Sequence, residues 1–230
     1  MACDTAPDIL YPYPVRLQRL DHLGGHEVKI GIIGAGMVGK TLATGLAEKG
    51  HQVRLANSRG PESVAESLGA STAKVTPSST SATLACDLVF LTVPWTKVRD
   101  VLRSGGPKDG RILVDATNIF LRFPPEALID DLKGDSGSEI VARLAPEARV
   151  VKAFNTLPFT TMFAPLPDGM ERVLFVAGDD TMAVASVSDL IVELGLHPVP
   201  LGPLAQAGRL MELGGPLSGL ELLTPAKEEA

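Results

Sequence analysis

Aromatic residues are scarce, at 4% of the chain, with one tryptophan and two tyrosines. A core built from this composition must therefore be aliphatic. Cysteine is nearly absent. Cys3 and Cys86 alone cannot form a disulfide framework, and a reducing cytoplasm suits them best. There is no basic surplus: 21 Lys+Arg stand against 27 Asp+Glu, a net charge of −6. That balance argues against a nucleic-acid footprint. No apolar run approaches the ~20 residues of a membrane helix, so no membrane partner is expected. No basic region followed by an apolar stretch marks a secretory signal. The four histidines have no metal-ligand spacing, so no metal is expected. What is present is ordinary for a globular protein: 45% hydrophobic and 21% charged residues over a length of 230. Such a chain makes one large domain or two small ones.

Residues 1–27 read differently from the rest. They hold three prolines, both tyrosines and a Gly24-Gly25 break. They form an arm, either free or packed on a neighbour through Leu10, Tyr11 and Tyr13; a homodimer is compatible with the second option. From residue 28 the pattern alternates between strands and helices. Strands are predicted over 28–33, 52–56, 73–75, 88–93, 111–115, 150–153, 173–177 and 199–201. Helices are predicted over 40–49, from Pro61 to 68, from an Asp180 cap to 194, and over 206–212. The connection 120–148 must hold a helix or irregular structure. This order implies an α/β fold, a Rossmann-type, doubly wound and mostly parallel sheet. The dinucleotide-binding domain spans 28–202, and 203–230 adds a short C-terminal helical segment and tail.

Gly34-Ala35-Gly36-Met37-Val38-Gly39 matches G-x-G-x-x-G, directly after the first strand and at the start of the first helix. In that position each glycine has a task. Gly34 permits the tight turn, Gly36 lets a pyrophosphate approach the backbone, and Gly39 lets helix and strand pack closely. The helix N-terminus then faces the phosphates. The end of the second strand discriminates between dinucleotides. Asn57 lies 21 positions beyond Gly36, about where NAD sites place a carboxylate for the ribose 2′-hydroxyl. Here the run is Asn57-Ser58-Arg59, with no acid. An arginine pairs with a 2′-phosphate that a carboxylate would repel. The expected cofactor is NADP.

Ligands in such sheets bind beyond the carboxyl ends of the strands. The expected lining is therefore Thr92-Val93-Pro94, Asn118 after Asp115, and Asn155-Thr156-Leu157-Pro158. Asn155 stands where the nicotinamide would lie and can orient it, while Thr156 and Leu157 set the distance to an acceptor. Gly178-Asp179-Asp180 is expected to turn the chain and cap a helix. His51 and His197 read as turn residues and Cys86 as a core thiol.

Certain chemistries are missing. Short-chain dehydrogenases need a tyrosine–lysine pair on the fold, and the tyrosines here precede the first strand. Long hydroxyacid and imine reductases add a large helical domain, for which the 28 residues after Gly202 are too few. Asp115 and Lys152 are the remaining candidates for a general acid, and neither is well marked. Hydride transfer between two cofactors needs no strong proton donor.

The blocks KIGIIGAGMVGKTLATGLAEKGHQVRLANSRGP, LVFLTVPW, ILVDATN, VVKAFNTLP, LFVAGDD and LGPLAQAGRLMELGGP, over residues 28–217, resemble the NADP-dependent reductases of the deazaflavin coenzyme F420. They also resemble the cytosolic domain of the STEAP metalloreductases. The matching positions are Gly34 to Gly39, Ser58, Arg59, Pro94, Asn118 and Asn155 to Pro158. The resemblance implies an NADP-binding Rossmann domain in which NADPH exchanges hydride with a deazaflavin, a flavin or a similar ring. Two other readings stay open: reduction of a small carbonyl or imine compound, and an NADPH-responsive regulatory module without catalysis.

Overall fold

The computed structural model describes residues 28–69, 74–103 and 106–226. The expected N-terminal arm and the last four residues lie outside this range. Strands β1 (Lys29–Ile33), β2 (Gln52–Ala56) and β3 (Val75–Ser78) alternate with helices α1 (Met37–Glu48) and α2 (Pro61–Leu68). Then come α3 (Thr80–Leu84), β4 (Leu88–Leu91), α4 (Trp95–Val101) and β5 (Ile112–Asp115). A hairpin follows, β6 (Phe120–Arg122) and β7 (Leu128–Ile129), and then α5 (Gly137–Leu144), β8 (Arg149–Lys152) and α6 (Phe159–Met162). The chain ends with β9 (Met170–Gly178), α7 (Thr181–Glu193), β10 (Leu196–Pro200), α8 (Leu204–Met211) and β11 (Leu223–Pro225).

The main sheet runs β3-β2-β1-β4-β5-β8-β9-β10. The fold is Rossmann-type α/β, and the pairs from β3 through β8 are all parallel. β9 runs antiparallel to β8, then pairs parallel with β10, and β11 adds antiparallel to β9. Strand order reverses between β1 and β4, which is where such sheets open a ligand crevice.

The central strands are continuous apolar runs because both faces are covered. Side chains alternate between two cores. Leu88 and Phe90 of β4 enter one, with Ile30, Leu42, Leu46, Val114 and Leu190. Val89 and Leu91 enter the other, with Leu113, Trp95, Val141 and Met211. Phe90 meets Phe154 edge-on at 5.6 Å between centroids. In α1 the buried positions 39, 42, 43, 46 and 47 follow the helical period and lie against the sheet. α2 carries Pro61 in its first turn, α5 has a Ser136/Glu139 capping box, and Asp180 accepts from the Ala183 amide at 2.7 Å to cap α7.

The differences from the sequence pattern have local causes. The third strand is Val75–Ser78, where 73–75 was expected and residue 73 lies outside the described residues, and the last on the main path starts at Leu196 rather than 199. Pro77, Pro198 and Pro200 make these stretches look unlike strands, but both are outer strands, where proline is tolerated. α3, α4 and α6 are additional, at five, seven and four residues. The 120–148 connection holds the β6–β7 hairpin as well as α5. Phe123, Leu128, Leu121 and Ile129 are exposed on that hairpin. Past residue 203 the chain returns to the sheet. α8 packs on α5, and buried Arg172 of β9 bonds Glu221 at 2.8 Å and the Met162 carbonyl at 3.0 Å.

Candidate active site: a dinucleotide cleft

The β1–α1 turn shows why the glycines stand where they do. Gly34 has φ +119°, and a Cβ there would lie 2.5 Å from the Thr92 carbonyl oxygen. A Cβ on Gly39 would lie 1.8 Å from the Gly34 oxygen. At Gly36 nothing stands within 4 Å of that position. The first and third glycines therefore serve packing, and the middle one faces open space. Thr92 Oγ1 hydrogen-bonds the carbonyls of Ile33 and Gly34, both at 3.0 Å, tying β4 to the turn. Gly36 is the N-cap of α1 and offers no side chain to it. The leading amides of a twelve-residue helix thus point at a gap that no side chain of the cap fills, a ready anion site.

At the end of β2, Asn57 Oδ1 accepts from the Arg59 amide at 2.8 Å. Ser63 Oγ accepts from Arg59 Nε at 2.8 Å and from Asn57 Nδ2 at 3.3 Å. The guanidinium is held by its inner nitrogen, leaving its outer N–H groups for an anion. Ser63 was not singled out in the sequence, although it follows Arg59 by four residues in the first turn of α2.

A cleft of about 700 Å³ joins these pieces. It brings together Gly34, Ala35 and Gly36 with Asn57, Ser58 and Arg59. Thr92, Val93 and Pro94 also line it. Its far wall is Lys97, Asp100 and Val101 of α4, with Thr80 of α3. No helix was expected directly after Pro94, so that wall lay outside the expected lining. The apolar positions Trp95, Val98 and Leu102 were the available signal, since they follow the helical period. Asp100 is engaged by Arg103 at 2.7 Å, whereas the exposed Lys97 ammonium has no hydrogen-bond or ion-pair partner among the described residues.

Met37, Val38 and Gly39 sit in the first turn of α1, outside the cleft lining, with Met37 66% exposed. Asn118 and Asn155 lie further along the strand ends and are joined to each other. Asn118 Nδ2 donates to the Asn155 carbonyl at 2.9 Å, and Asn155 Nδ2 donates to Asn118 Oδ1 at 3.3 Å and to the Met211 carbonyl at 2.8 Å. Asn155 is 5% exposed, and its Oδ1 has no hydrogen-bond partner, alone among the buried side-chain N and O atoms of the described residues. The preceding Phe154 is at φ +62°, a left-handed backbone that costs a bulky residue about 1–3 kcal/mol. Thr156 is buried and its carbonyl accepts from the Gly219 amide, while Leu157 packs in the core.

Asp115 and Lys152 are paired with each other at 3.1 Å and are both fully buried. Asp115 also accepts from Ser138 Oγ at 2.6 Å and from Thr117, and Lys152 donates to the Thr117 carbonyl. Burial alone would raise the Asp115 carboxyl, but Lys152 and these donors outweigh it and hold it below the usual range. Both groups are spent on this pairing and its surrounding hydrogen bonds. Asp179 accepts from the Leu204 amide, while His51 and His197 bond Glu193 and Glu171, all outside the cleft lining.

Residues 29–119 match the family model described as NADP oxidoreductase, coenzyme F420-dependent. A Sinorhizobium meliloti hypothetical protein, SMa0349, is 36% identical, with 90% of this chain and 100% of that one aligned at a TM-score of 0.78. This chain belongs to the F420-dependent NADP oxidoreductase family. Another relative is a candidate F420-dependent NADP reductase from Arthrobacter sp. FB24. It is 28% identical over 78% of this chain and 87% of that one, at a TM-score of 0.69. Metalloreductase STEAP3 of Rattus norvegicus is 33% identical over 180 residues, which is 78% of this chain and 35% of that protein. The chain thus spans about a third of that curated relative. No helix among the described residues is long and apolar enough to cross a membrane.

Proposed function

We propose that this family member is an NADP(H)-dependent oxidoreductase that moves hydride between the nicotinamide and a flat ring, a deazaflavin or a flavin. One observation carries the reading: the open position at Gly36, before the uncapped end of α1, lies in the same cleft as Ser58 and a tethered Arg59. The residues present fit the cofactor. Gly36 and the α1 amides would hold the pyrophosphate, and Ser58 and Arg59 the 2′-phosphate. Asn155 Oδ1, buried without a partner, would accept from the carboxamide of the nicotinamide. NADPH supplies two electrons and a proton as hydride from its ring. The protein's part is orientation, because reacting atoms must meet within about 3–3.5 Å.

The pairing of Asp115 and Lys152 favours a ring acceptor over a carbonyl. A carbonyl oxygen needs a proton as hydride arrives, and these two groups are committed to each other. A reduced ring nitrogen can take its proton from solvent. The test is stopped-flow NADPH oxidation by purified protein with excess coenzyme F420 or FMN. Oxidation that saturates with acceptor supports the reading. No oxidation with either ring, alongside turnover of a carbonyl or imine compound, would replace it.

A further inference from the structure

The amide of Asn155 can point either way unless its neighbours decide. Both of its N–H groups are consumed by acceptors, Asn118 Oδ1 and the Met211 carbonyl. Asn118 is itself oriented by donating to the Asn155 backbone. The amide therefore presents oxygen, not nitrogen, at its free end. The Met211 carbonyl is the shorter of the two contacts, and it comes from the last residue of α8.

What holds Met211 there is the next residue. Glu212 is 5% exposed, and its Oε1 accepts from the amide of Gly137, the first residue of α5. α8 and α5 touch so closely that a Cβ on Gly208 would lie 2.6 Å from Ser136 Oγ. Glu212 sits between two helix ends. It stands at the carboxyl end of α8, where the helix dipole disfavours an anion, and burial pushes its carboxyl above the usual range. On its other side the amino end of α5 favours an anion: the Ser136–Glu139 capping box satisfies the Ser136 and Glu139 amides and leaves the Gly137 amide to Glu212. The charged groups around it are Lys152, Asp115 and Glu139.

We propose that Glu212 is a positioning residue: by gripping the Gly137 amide it holds the Met211 carbonyl on Asn155, so that Asn155 Oδ1 meets the ligand as a fixed hydrogen-bond acceptor. The site would then select an N–H donor, such as a carboxamide, and reject an acceptor in the same place. The inference rests on the reading that the nicotinamide reaches Asn155.

Calorimetric titration with three ligands tests it. They are NADP⁺, its nicotinic acid analogue with a carboxylate in place of the carboxamide, and 2′-phospho-ADP-ribose, which has no nicotinamide. The parent should prefer NADP⁺ over the acid analogue by about tenfold or more, the scale of one hydrogen bond lost and one lone-pair clash gained. Glu212→Gln, which keeps the acceptor, should retain that preference. Glu212→Ala, and Glu212→Asp with its carboxylate withdrawn by one methylene, should lower it by about fivefold with 2′-phospho-ADP-ribose binding unchanged. The Asp and Gln variants carry the test if the Ala variant does not melt cooperatively. Full preference in Glu212→Ala or Glu212→Asp, with loss in Asn155→Ala, overturns the role of Glu212 alone. Equal loss of all three ligands in the Glu212 variants overturns it too, because that is collapse of the site. No preference in the parent, or full preference in Asn155→Ala, overturns the placement of the nicotinamide. No binding of 2′-phospho-ADP-ribose by the parent overturns the proposed function itself.

Discussion

Replacing Arg59 with alanine removes a guanidinium already held in place. Its Nε is bonded to Ser63 Oγ at 2.8 Å and its amide to Asn57 Oδ1 at 2.8 Å. Little side-chain freedom remains to be lost when a phosphate arrives. The lost interaction is a hydrogen bond between two charged groups, about 1.5–3 kcal/mol. At 1.4 kcal/mol per factor of ten, NADPH affinity should fall by about ten- to a hundredfold. NADH has a hydroxyl where NADPH has the phosphate, so its affinity should stay within about twofold. Ser63→Ala leaves the guanidinium but frees it, and should cost about 0.5–1.5 kcal/mol toward NADPH only. Because the site opens to solvent, the parent's preference should shrink as salt rises from about 0.05 to 0.5 M, where the screening length drops below ~5 Å. Isothermal titration of parent and both variants with NADPH and NADH measures all of this. Equal losses for the two cofactors in Arg59→Ala, or none for either, would refute the assignment of the 2′-phosphate to this corner.

Gly36→Val should abolish binding of both cofactors with little change in melting temperature, because Gly36 has φ −78° and open space before it; Gly39→Ala should instead destabilise the fold, its Cβ falling 1.8 Å from the Gly34 oxygen. Calorimetry and thermal melts separate the two, and normal NADPH binding by Gly36→Val would move the phosphate site elsewhere. Asn155→Ala should lower the hydride-transfer rate seen in stopped flow more than NADPH affinity, since orientation counts most in the transition state; equal loss in both would mean simple binding. The depressed Asp115 carboxyl adds stability that is present above the unfolded pKa, about 3.9, and is lost as pH falls through its lower folded value. Asp115→Ala strands Lys152 in the core, should cost about 3–5 kcal/mol at neutral pH by denaturant titration, and should flatten acid unfolding; an unchanged midpoint would contradict the pairing.

The β1–α1 glycine turn was legible because glycine, strand and helix signals coincide within a dozen residues from Lys29 to Lys40. The Asp180 cap and the Pro61 start were legible because those residues act on the backbone next to them. α4 was not, since its apolar positions Trp95, Val98 and Leu102 span barely two turns after a proline. The Asp115–Lys152 pair had a visible trace: each is the charged last residue of an apolar strand, and the two are in register on neighbouring strands. Only the strand order turns that trace into a contact. The engagement of Asn155 by Met211 joins residues 56 positions apart, and no local pattern carries it.

The outer strand β10 has a consequence for the protein in concentrated solution. The Leu201 amide bonds inward to the Val176 carbonyl of β9 at 2.8 Å, and amides alternate in direction along a strand. The even-numbered positions 198 and 200 therefore face outward, and both are proline. At those two points this rim has no N–H to offer an arriving strand. The opposite rim, β3, also contains a proline, Pro77. Growth of the sheet from one molecule into the next along β10, the route by which open β-edges assemble into fibrils, is obstructed at that rim by the covalent structure itself.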